Sequence, residues 1–439
     1  MEKVSFLTLG CKVNQTESEA LAQFFQGEGY DIVQETEEPD IFIINTCTVT
    51  GMGSVKSRKL IRRIAKEHPS STLVVMGCYS QTKPEEIAEL EGVDLIMGTQ
   101  DRFSILKHLR TLRQQTGNDS GRNKQKKPVQ TVRPFVYGSR FEELPLLQSE
   151  SRTRAMLKIQ DGCSQFCTYC IVPYARGPSR SRDPENVIAE ASRLLEAGYK
   201  EIVLTGIHIG VYGQELNHKI NLAGLIARLV ELRGMSRLRL GSIEPMEFTP
   251  ELLEVIVHKA VCPHFHIPLQ SGSDIILEKM RRPYTVREYA LLLGKIRENL
   301  PDAAIAADVM TGFPGETDEI HQEALKFAEN CEFAGIHVFP YSRRPGTPAA
   351  DMPGQIPKGV KAARVKEFMK AGRKSREKYV TRFIHHPVEV LLEKVSPDGT
   401  AQGHTGNYLE LRIPPELNPG FWQPGQLVNC VFKKEYLFS

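Results

Sequence analysis

The sequence predicts an α/β protein with three parts: an amino-terminal open parallel α/β domain, a central partial (β/α)6 barrel and a small carboxy-terminal β-barrel. The length of 439 residues is the first indication, because domains commonly hold roughly 150 residues. The second is that predicted strands alternate with amphipathic helices over two long stretches, which indicates parallel sheets built from βαβ units. The third is a change, after Pro387, to short apolar segments separated by Gly, Pro and Asn.

The amino-terminal domain is predicted to span residues 1–113, the barrel 146–375 and the terminal module 376–439. Strands are predicted in the first domain at 4–9, 41–45, 73–76 and 93–97. In the barrel they are predicted, after a first strand near residue 152, at 201–204, 238–240, 264–267, 304–307 and 336–339. The terminal module shows β segments at 388–392, 408–413 and 427–432, which favour a barrel of the oligonucleotide-binding type.

Two basic stretches interrupt this pattern. Residues 114–145 are predicted to form a basic linker, since 113–133 has six basic residues, one acidic residue and no aromatic residue. Residues 361–382 form a predicted helix with nine basic and two acidic residues. Each stretch is interpreted either as a solvated segment or as a surface that contacts phosphate. The net charge of +3 is too small to decide for nucleic acid by itself.

Composition indicates an ordinary folded protein, with 41% hydrophobic and 25% charged residues. No apolar run reaches the roughly 18 residues that a membrane span needs, and the first residues are typical of a strand rather than an export signal. We therefore expect a cytoplasmic protein with no membrane partner. Nine cysteines in such a chain favour metal ligation or catalysis, because cytosolic thiols stay reduced.

Three of the cysteines form a compact motif. Cys163, Cys167 and Cys170 are spaced C-x3-C-x2-C after the first predicted barrel strand. Three thiolates on one loop can hold three irons of a [4Fe-4S] cluster and leave the fourth iron open. A zinc site is the alternative, but closed zinc sites need four ligands, and no second cysteine pair follows nearby.

This motif resembles the radical S-adenosylmethionine (SAM) superfamily, in which the open iron binds SAM and its reduction produces a 5′-deoxyadenosyl radical. The resemblance implies that the three cysteines are catalytic ligands. It also implies SAM contacts near the carboxyl ends of barrel strands, namely Tyr169, Gly206, Glu244, Gln270 and Gly312. Tyr169 as core packing and Glu244 in a structural salt bridge are the alternatives. His208, His264 and His266 are interpreted as hydrogen-bonded histidines rather than metal ligands.

Cys11, Cys47 and Cys78 are dispersed, but each follows a predicted strand directly, and a glycine precedes two of them. The carboxyl ends of strands in an open parallel sheet form a binding crevice, so these thiols have the placement of a second metal centre. Small buried hydrophobic residues are the alternative, which this placement alone leaves open. Cys262, Cys331 and Cys430 fall outside both triplets and are interpreted as core or incidental thiols.

An amino-terminal α/β domain with such cysteines before a radical SAM barrel resembles the methylthiotransferase family, and the terminal β module resembles its TRAM domain. The resemblance covers nearly the whole chain. It implies a second [4Fe-4S] cluster at Cys11, Cys47 and Cys78 that supplies sulfur, while one SAM methylates that sulfur and a second SAM yields the radical. It also implies as partners a tRNA anticodon loop, an electron donor such as a flavodoxin or ferredoxin, and a sulfur source.

Within the family, Lys12-Val13-Asn14 after the first cysteine resembles the branch that acts on N6-threonylcarbamoyladenosine next to the anticodon. Methylthiotransferases acting on isopentenyladenosine or on a ribosomal-protein aspartate are the alternatives, and residues 51–54 depart mildly from the first branch. A non-catalytic RNA-binding protein with structural cysteines is a further alternative.

Overall fold

The structure is a computed structural model that describes residues 1–49, 51–116, 127–136, 138–144, 153–216, 220–418 and 420–438. The chain forms two compact units. Unit 1 comprises Met1–Leu147, Gln160–Arg182 and Ser342–Thr347, and unit 2 comprises Gln148–Ile159, Asp183–Tyr341 and Pro348–Ser439. The predicted three-domain boundaries stay a prediction. They assign 160–182 and 342–347 to the barrel, whereas these segments pack in unit 1, and they separate the terminal module, which clusters with the barrel in unit 2.

Unit 1 is built on a six-stranded parallel sheet with strand order β2-β1-β3-β4-β5-β6. Its strands are β1 (Lys3–Thr8), β2 (Asp31–Ile32), β3 (Ile41–Thr46), β4 (Thr72–Gly77), β5 (Leu95–Ile96) and β6 (Val129–Gln130). All six residues of β3 are buried, as expected for a central parallel strand covered on both faces. The four predicted strands are observed, whereas the two-residue strands β2 and β6 were not predicted.

Helices connect these strands: α1 (Lys12–Gly27), α2 (Gly51–Glu67), α3 (Cys78–Thr82), α4 (Pro84–Ala88) and α5 (Ile105–Thr116). A further helix, α6 (Val172–Arg176), lies in the segment 160–182. The segment 160–182 is closed by a short antiparallel pair, Gln160–Asp161 with Arg180–Ser181. The linker predicted at 114–145 stays a prediction. Its residues 117–126, 137 and 145 lie outside the described residues, and within it β6 pairs with the sheet.

Unit 2 contains two three-stranded parallel sheets. In the first sheet the neighbouring strands are, in order, Arg237–Leu240, Glu201–Thr205 and Arg154–Lys158. In the second they are His264–His266, Ala304–Thr311 and Gly335–Pro340. A parallel bridge between Leu238 and Val261 links the end of the first sheet to the segment that leads into the second. The flanking helices are Pro184–Glu196, Leu222–Val230, Pro250–Val255, Asp274–Lys279, Val286–Asn299, Asp318–Asn330 and Lys358–Thr381. This arrangement confirms the partial α/β barrel.

The end of unit 2 is a four-stranded antiparallel sheet, made of Pro387–Val395, Ala401–Thr405, Glu410–Ile413 and Leu427–Val431. It confirms a small β module, and its TRAM-like topology stays a prediction. The strand Ala401–Thr405 was not predicted. It contains Gly403, where a Cβ atom would lie 2.0 Å from the carbonyl oxygen of Leu391 on the paired strand. The predicted start of the module at residue 376 falls inside the last helix, which ends at Thr381.

None of the helices in the described residues combines the length and the apolar character needed to cross a membrane.

Candidate metal centres

Three cysteines lie at the carboxyl ends of adjacent strands in unit 1. Cys11 follows β1, Cys47 follows β3 and Cys78 follows β4. The strand order reverses between β1 and β3, which is the position at which open parallel sheets bind ligands. The topology therefore brings the dispersed cysteines to one edge of the sheet, as the sequence predicted.

The backbone before two of these cysteines requires glycine. Gly10 and Gly77 have φ values of 121° and 102°, which residues with a side chain rarely adopt. A Cβ atom on Gly77 would lie 2.4 Å from Asn45 Oδ1, and one on Gly10 would lie 3.1 Å from the Cβ atom of Cys47. Close approach of the strand ends thus depends on both glycines.

The electrostatic environment of this triplet combines burial with nearby positive charge. Burial raises the pKa of the Cys78 thiol to about 11 and also raises that of Cys47. In both cases Arg176 opposes the rise and Cys11 adds to it, so Cys11 lies within electrostatic range of both Cys47 and Cys78. Cys11 caps α1 and Cys78 begins α3, and a helix amino terminus favours a thiolate.

Asn14 links the cysteine-bearing segments. Its side-chain nitrogen donates to Asn45 Oδ1 and to the Thr46 carbonyl oxygen, both at 3.1 Å. The thiol of Cys11 donates to Asn14 Oδ1 at 3.3 Å. Asn14 is 1% exposed, so these bonds fix the turn after β1 against the end of β3.

The spacing of the sulfur atoms bears on which metal centre would fit. In the part of the chain that the structure describes, neither cysteine triplet brings three ligand atoms within 4.8 Å of one another. A single tetrahedral zinc would place its sulfur ligands about 3.8 Å apart, given a Zn–S distance of about 2.3 Å. Among the described residues, neither triplet is therefore preassembled as a tetrahedral zinc site.

The second triplet lies on the loop between Gln160–Asp161 and α6. Cys163 donates its backbone N–H to the Gly177 carbonyl oxygen at 3.0 Å, and Cys170 donates to the carbonyl oxygen of Cys167, also at 3.0 Å. Gly162 has φ 75°, and a Cβ atom there would lie 2.0 Å from the Pro178 carbonyl oxygen. The loop is therefore closed at its base by backbone contacts.

An open groove of about 620 Å³ lies within unit 1, beside the residues that directly follow Cys47 and Cys78. Four cationic residues line it, Arg58, Lys83, Arg343 and Arg344, against one acidic residue, Glu86, which lies 3.6 Å from both Arg58 and Lys83. The aromatic residues Tyr79 and Tyr174 also line it. Tyr174 is 46% exposed and packs edge-to-face against Phe166, which is 47% exposed, on the cysteine loop. This composition suits a negatively charged, aromatic ligand.

Arg344 fixes the segment that follows Cys47. Its guanidinium donates to the carbonyl oxygen and to the hydroxyl of Thr48, and to the hydroxyl of Ser54 at 3.4 Å. Ser342 accepts a bond from the backbone N–H of Gly51 at 3.2 Å. The segment Ser342–Thr347 therefore supports the turn that carries Cys47.

The predicted SAM contacts of unit 2 occupy distinct local settings. Gly206 follows the strand Glu201–Thr205. Glu244 forms a salt bridge with Arg282, which agrees with the alternative of a structural role for this residue. Gln270 is 8% exposed with φ 62°, and its side-chain oxygen is buried with no hydrogen-bond partner among the described residues. A Cβ atom on Gly312 would lie 2.1 Å from the Cγ atom of Lys361, so packing accounts for this glycine. These contacts and Tyr169 stay predictions.

The remaining predicted side chains agree with a structural role. His266 bonds to the Ser242 hydroxyl at 2.7 Å and to Asp308 at 3.0 Å. His208 pairs with Glu247, and His264 stacks against Tyr408. The other cysteines, Cys262, Cys331 and Cys430, are buried or half-buried.

Sequence reasoning missed Arg176 and Arg344, and it used Asn14 only as part of a branch motif. A signal existed for the first, because the segment 175–182 contains three arginines directly after the cysteine motif. All three, Arg176, Arg180 and Arg182, are buried, which is rare for arginine without a specific charged partner.

Known proteins share both halves of this arrangement. Residues 157–328 match the radical SAM superfamily, and residues 3–98 match a family described as uncharacterized protein family UPF0004. A threonylcarbamoyladenosine tRNA methylthiotransferase of Bacillus subtilis is 41% identical, with 94% of this chain and 90% of that protein covered. This chain belongs to the radical SAM methylthiotransferase family.

Other members of the radical SAM methylthiotransferase family are also similar over most of their length. A threonylcarbamoyladenosine tRNA methylthiotransferase of Aquifex aeolicus is 37% identical over 98% of this chain and 100% of that protein. Among solved structures, a radical SAM methyltransferase from Kitasatospora setae has a TM-score of 0.58 at 18% identity, covering 80% of this chain and 75% of that one. At this identity the likeness supports the fold alone.

Proposed function

We propose that this methylthiotransferase transfers a methylthio group to C2 of N6-threonylcarbamoyladenosine next to the anticodon of tRNA. The observation that carries the proposal is that both cysteine triplets fold within unit 1, one on its sheet and one on its inserted loop. The Bacillus subtilis and Aquifex aeolicus relatives carry this substrate in their names.

The two triplets divide the chemistry. Cys163, Cys167 and Cys170 hold the cluster that binds SAM, and Cys11, Cys47 and Cys78 hold the other. When bound, the two [4Fe-4S] clusters and SAM supply a carbon radical and the sulfur to be transferred. The described cysteines fit these clusters, since thiolates are the ligands that such clusters use, three adjacent strands end at Cys11, Cys47 and Cys78, and Arg176 donates to the buried sulfur of Cys78.

The groove of unit 1 is proposed as the path of the RNA. Arg58, Lys83 and Arg343 would neutralise phosphates, and the exposed ring of Tyr174, against which Phe166 packs, would stack on a base. Recognition of a loop nucleotide requires it to leave the stack, which an anticodon loop allows more easily than a duplex. The proposal also includes action in the cytoplasm, an electron donor of the flavodoxin or ferredoxin type, and an external sulfur source.

A second candidate substrate is dimethylallyladenosine in tRNA, the nucleoside also called isopentenyladenosine. It is favoured by a relative from Pelotomaculum thermopropionicum named tRNA-2-methylthio-N(6)-dimethylallyladenosine synthase, which is 37% identical over 90% of this chain and 87% of that protein. The residues after Cys11 favour the threonylcarbamoyl branch instead.

The test is an anaerobic reaction of the reconstituted protein with SAM, a low-potential reductant, sulfide as the sulfur source and two tRNA substrates in separate reactions. One tRNA carries threonylcarbamoyladenosine and the other carries dimethylallyladenosine, and nucleosides are identified by mass spectrometry. We expect methylthio product with the first only. Product with the second alone would establish the other branch, and SAM cleavage without product on either would contradict a tRNA substrate.

A further inference from the structure

Arg176 is a buried arginine at the end of α6, on the segment that carries the C-x3-C-x2-C loop. It is 1% exposed, and its Nε atom donates to the sulfur of Cys78 at 3.2 Å. Its Nη2 atom donates to Asn14 Oδ1 at 2.8 Å. One guanidinium from the segment that carries Cys163, Cys167 and Cys170 therefore contacts Cys78 and the residue that holds Cys11.

The same guanidinium is held by acidic side chains. Its Nη1 atom lies 2.5 Å from Glu17 Oε1 and 3.3 Å from Asp161 Oδ1, and its Nη2 atom lies 3.2 Å from Glu17 Oε2. Arg102 shares Glu17 at 2.8 Å and also pairs with Glu142. Glu17 and Asp161 bind the Nη atoms of Arg176 and leave its Nε atom directed at the sulfur of Cys78. Acidic side chains on the side opposite Cys78 therefore fix the orientation of the guanidinium.

An N–H group that donates to a ligand sulfur lowers the electron density that the sulfur gives to its iron. Hydrogen bonds to sulfur ligands and the charge near them are two of the factors that set cluster reduction potentials. A buried donor acts strongly, because little water screens it. Arg176 can act in both ways, because its Nε atom donates to the Cys78 sulfur and its guanidinium is a buried positive charge.

We propose that Arg176 is a positioning residue that hydrogen-bonds the Cys78 ligand and raises the reduction potential of the sulfur-supplying cluster. The inference rests on the proposed function, because it requires a cluster at Cys11, Cys47 and Cys78. It makes the segment that carries the SAM-binding cysteines a determinant of the chemistry of the other cluster, since Arg176 ends the helix that follows their loop.

The test compares Arg176→Lys with Arg102→Lys in full-length protein. Both substitutions keep the charge and lose the planar fork in the same buried network, but Arg176 donates to a cysteine sulfur, whereas Arg102 donates to Glu17. Each substitution is combined with Cys170→Ala, which removes the SAM-binding cluster. The cluster at Cys11, Cys47 and Cys78 is then observed alone. Iron content and a redox titration followed by electron paramagnetic resonance are the measurements.

We expect about four irons in each protein. Arg176→Lys is expected to shift the oxidised-to-reduced ratio at fixed potential at least tenfold towards the oxidised form, equivalent to about 59 mV for a one-electron couple. Arg102→Lys is expected to match the parent. An unchanged potential in Arg176→Lys, or equal shifts in both variants, would overturn the inference.

A third variant guards against loss of the cluster. If Arg176→Lys binds less iron than Arg102→Lys, Arg176→Gln retains an amide donor of similar reach and is expected to restore iron while the potential stays below that of the parent. If Arg176→Gln does not restore iron, the hydrogen bond to the Cys78 sulfur is not the role of Arg176, and the inference is overturned. A parent protein without iron would instead contradict the second cluster, and with it the proposed function, so the two failures are distinguishable.

Discussion

The two cysteine triplets of this protein are built in opposite ways. Cys163, Cys167 and Cys170 lie on one loop, so their spacing in sequence already fixes their proximity. Cys11, Cys47 and Cys78 meet only because three parallel strands end at the same edge of a sheet. The first site is a property of local sequence, and the second is a property of topology. Substitutions should therefore damage the two sites by different routes.

The largest effect is expected from the ligands themselves. Cys170→Ala should abolish SAM cleavage and product formation, whereas Cys47→Ala should keep SAM cleavage and lose methylthio product. Each variant should retain about four of the roughly eight irons expected for two clusters. Liquid chromatography of SAM products and an iron assay provide the measurement, with Cys331→Ala as a control that keeps all the iron. Methylthio product from Cys47→Ala would show that this cysteine is not needed for sulfur insertion.

The next effect should separate topology from local sequence. Gly77→Ala introduces a Cβ atom that clashes with Asn45 Oδ1 and Thr46, so we expect loss of the sheet cluster and of about four irons. Backbone strain of about 1–3 kcal/mol should also lower the denaturation midpoint. Gly29→Ala is the matched control, because Gly29 has φ 88° but nothing within 4 Å of its Cβ position. Equal iron in the two variants would mean that the glycine turn does not position the ligand.

A smaller effect is expected in the groove. Lys83→Ala and Arg58→Ala should weaken tRNA binding and reduce the salt dependence of log affinity by about 0.7 for each phosphate of single-stranded RNA that the variant no longer neutralises. Filter binding at several salt concentrations measures both quantities. Arg63→Ala, which removes an exposed arginine of α2 paired with Glu35 and Glu67, should leave them unchanged. An equally large decrease in affinity for Arg63→Ala would assign the effect to general charge rather than to the groove.

The smallest effect concerns the cysteines outside both triplets. Burial raises the pKa values of the Cys262 and Cys331 thiols to about 12, so at pH 8 both are protonated. A protonated thiol is a poor nucleophile, and we expect both to resist iodoacetamide in the iron-free protein while the exposed Cys11 is alkylated. Peptide mass spectrometry gives the extent at each site. Faster alkylation of Cys262 than of Cys11 would contradict the burial of this thiol.

The sequence predicted the order of the elements well because hydrophobic periodicity is a local property. Strands such as β3 and β4 are continuous apolar runs, and they were located to within a residue or two. The short strands β2 and β6 have two residues each, too few to show a period. Ala401–Thr405 contains Gly403 and polar residues, so its pairing is visible only with its partner strands present.

Prediction of the candidate site divided in the same way, into features that the local sequence shows and features that only the fold produces. The six cysteines could be grouped from spacing and from their positions after strands. Arg176 could not be assigned a role, because its partners Glu17 and Cys78 are distant in sequence and are brought to it by the way unit 1 folds. The predicted SAM contacts rest on local motifs alone, and of these Gln270 has a buried oxygen that is left without a partner among the described residues.

The central claim is that this protein methylthiolates threonylcarbamoyladenosine in tRNA. Nucleoside mass spectrometry of tRNA from cells with and without the protein tests it most directly. The account predicts that loss of the protein removes the methylthio form and that unthiolated threonylcarbamoyladenosine accumulates, with recovery by the parent chain but not by Cys47→Ala. Unchanged tRNA nucleosides in cells that lack the protein would contradict the claim.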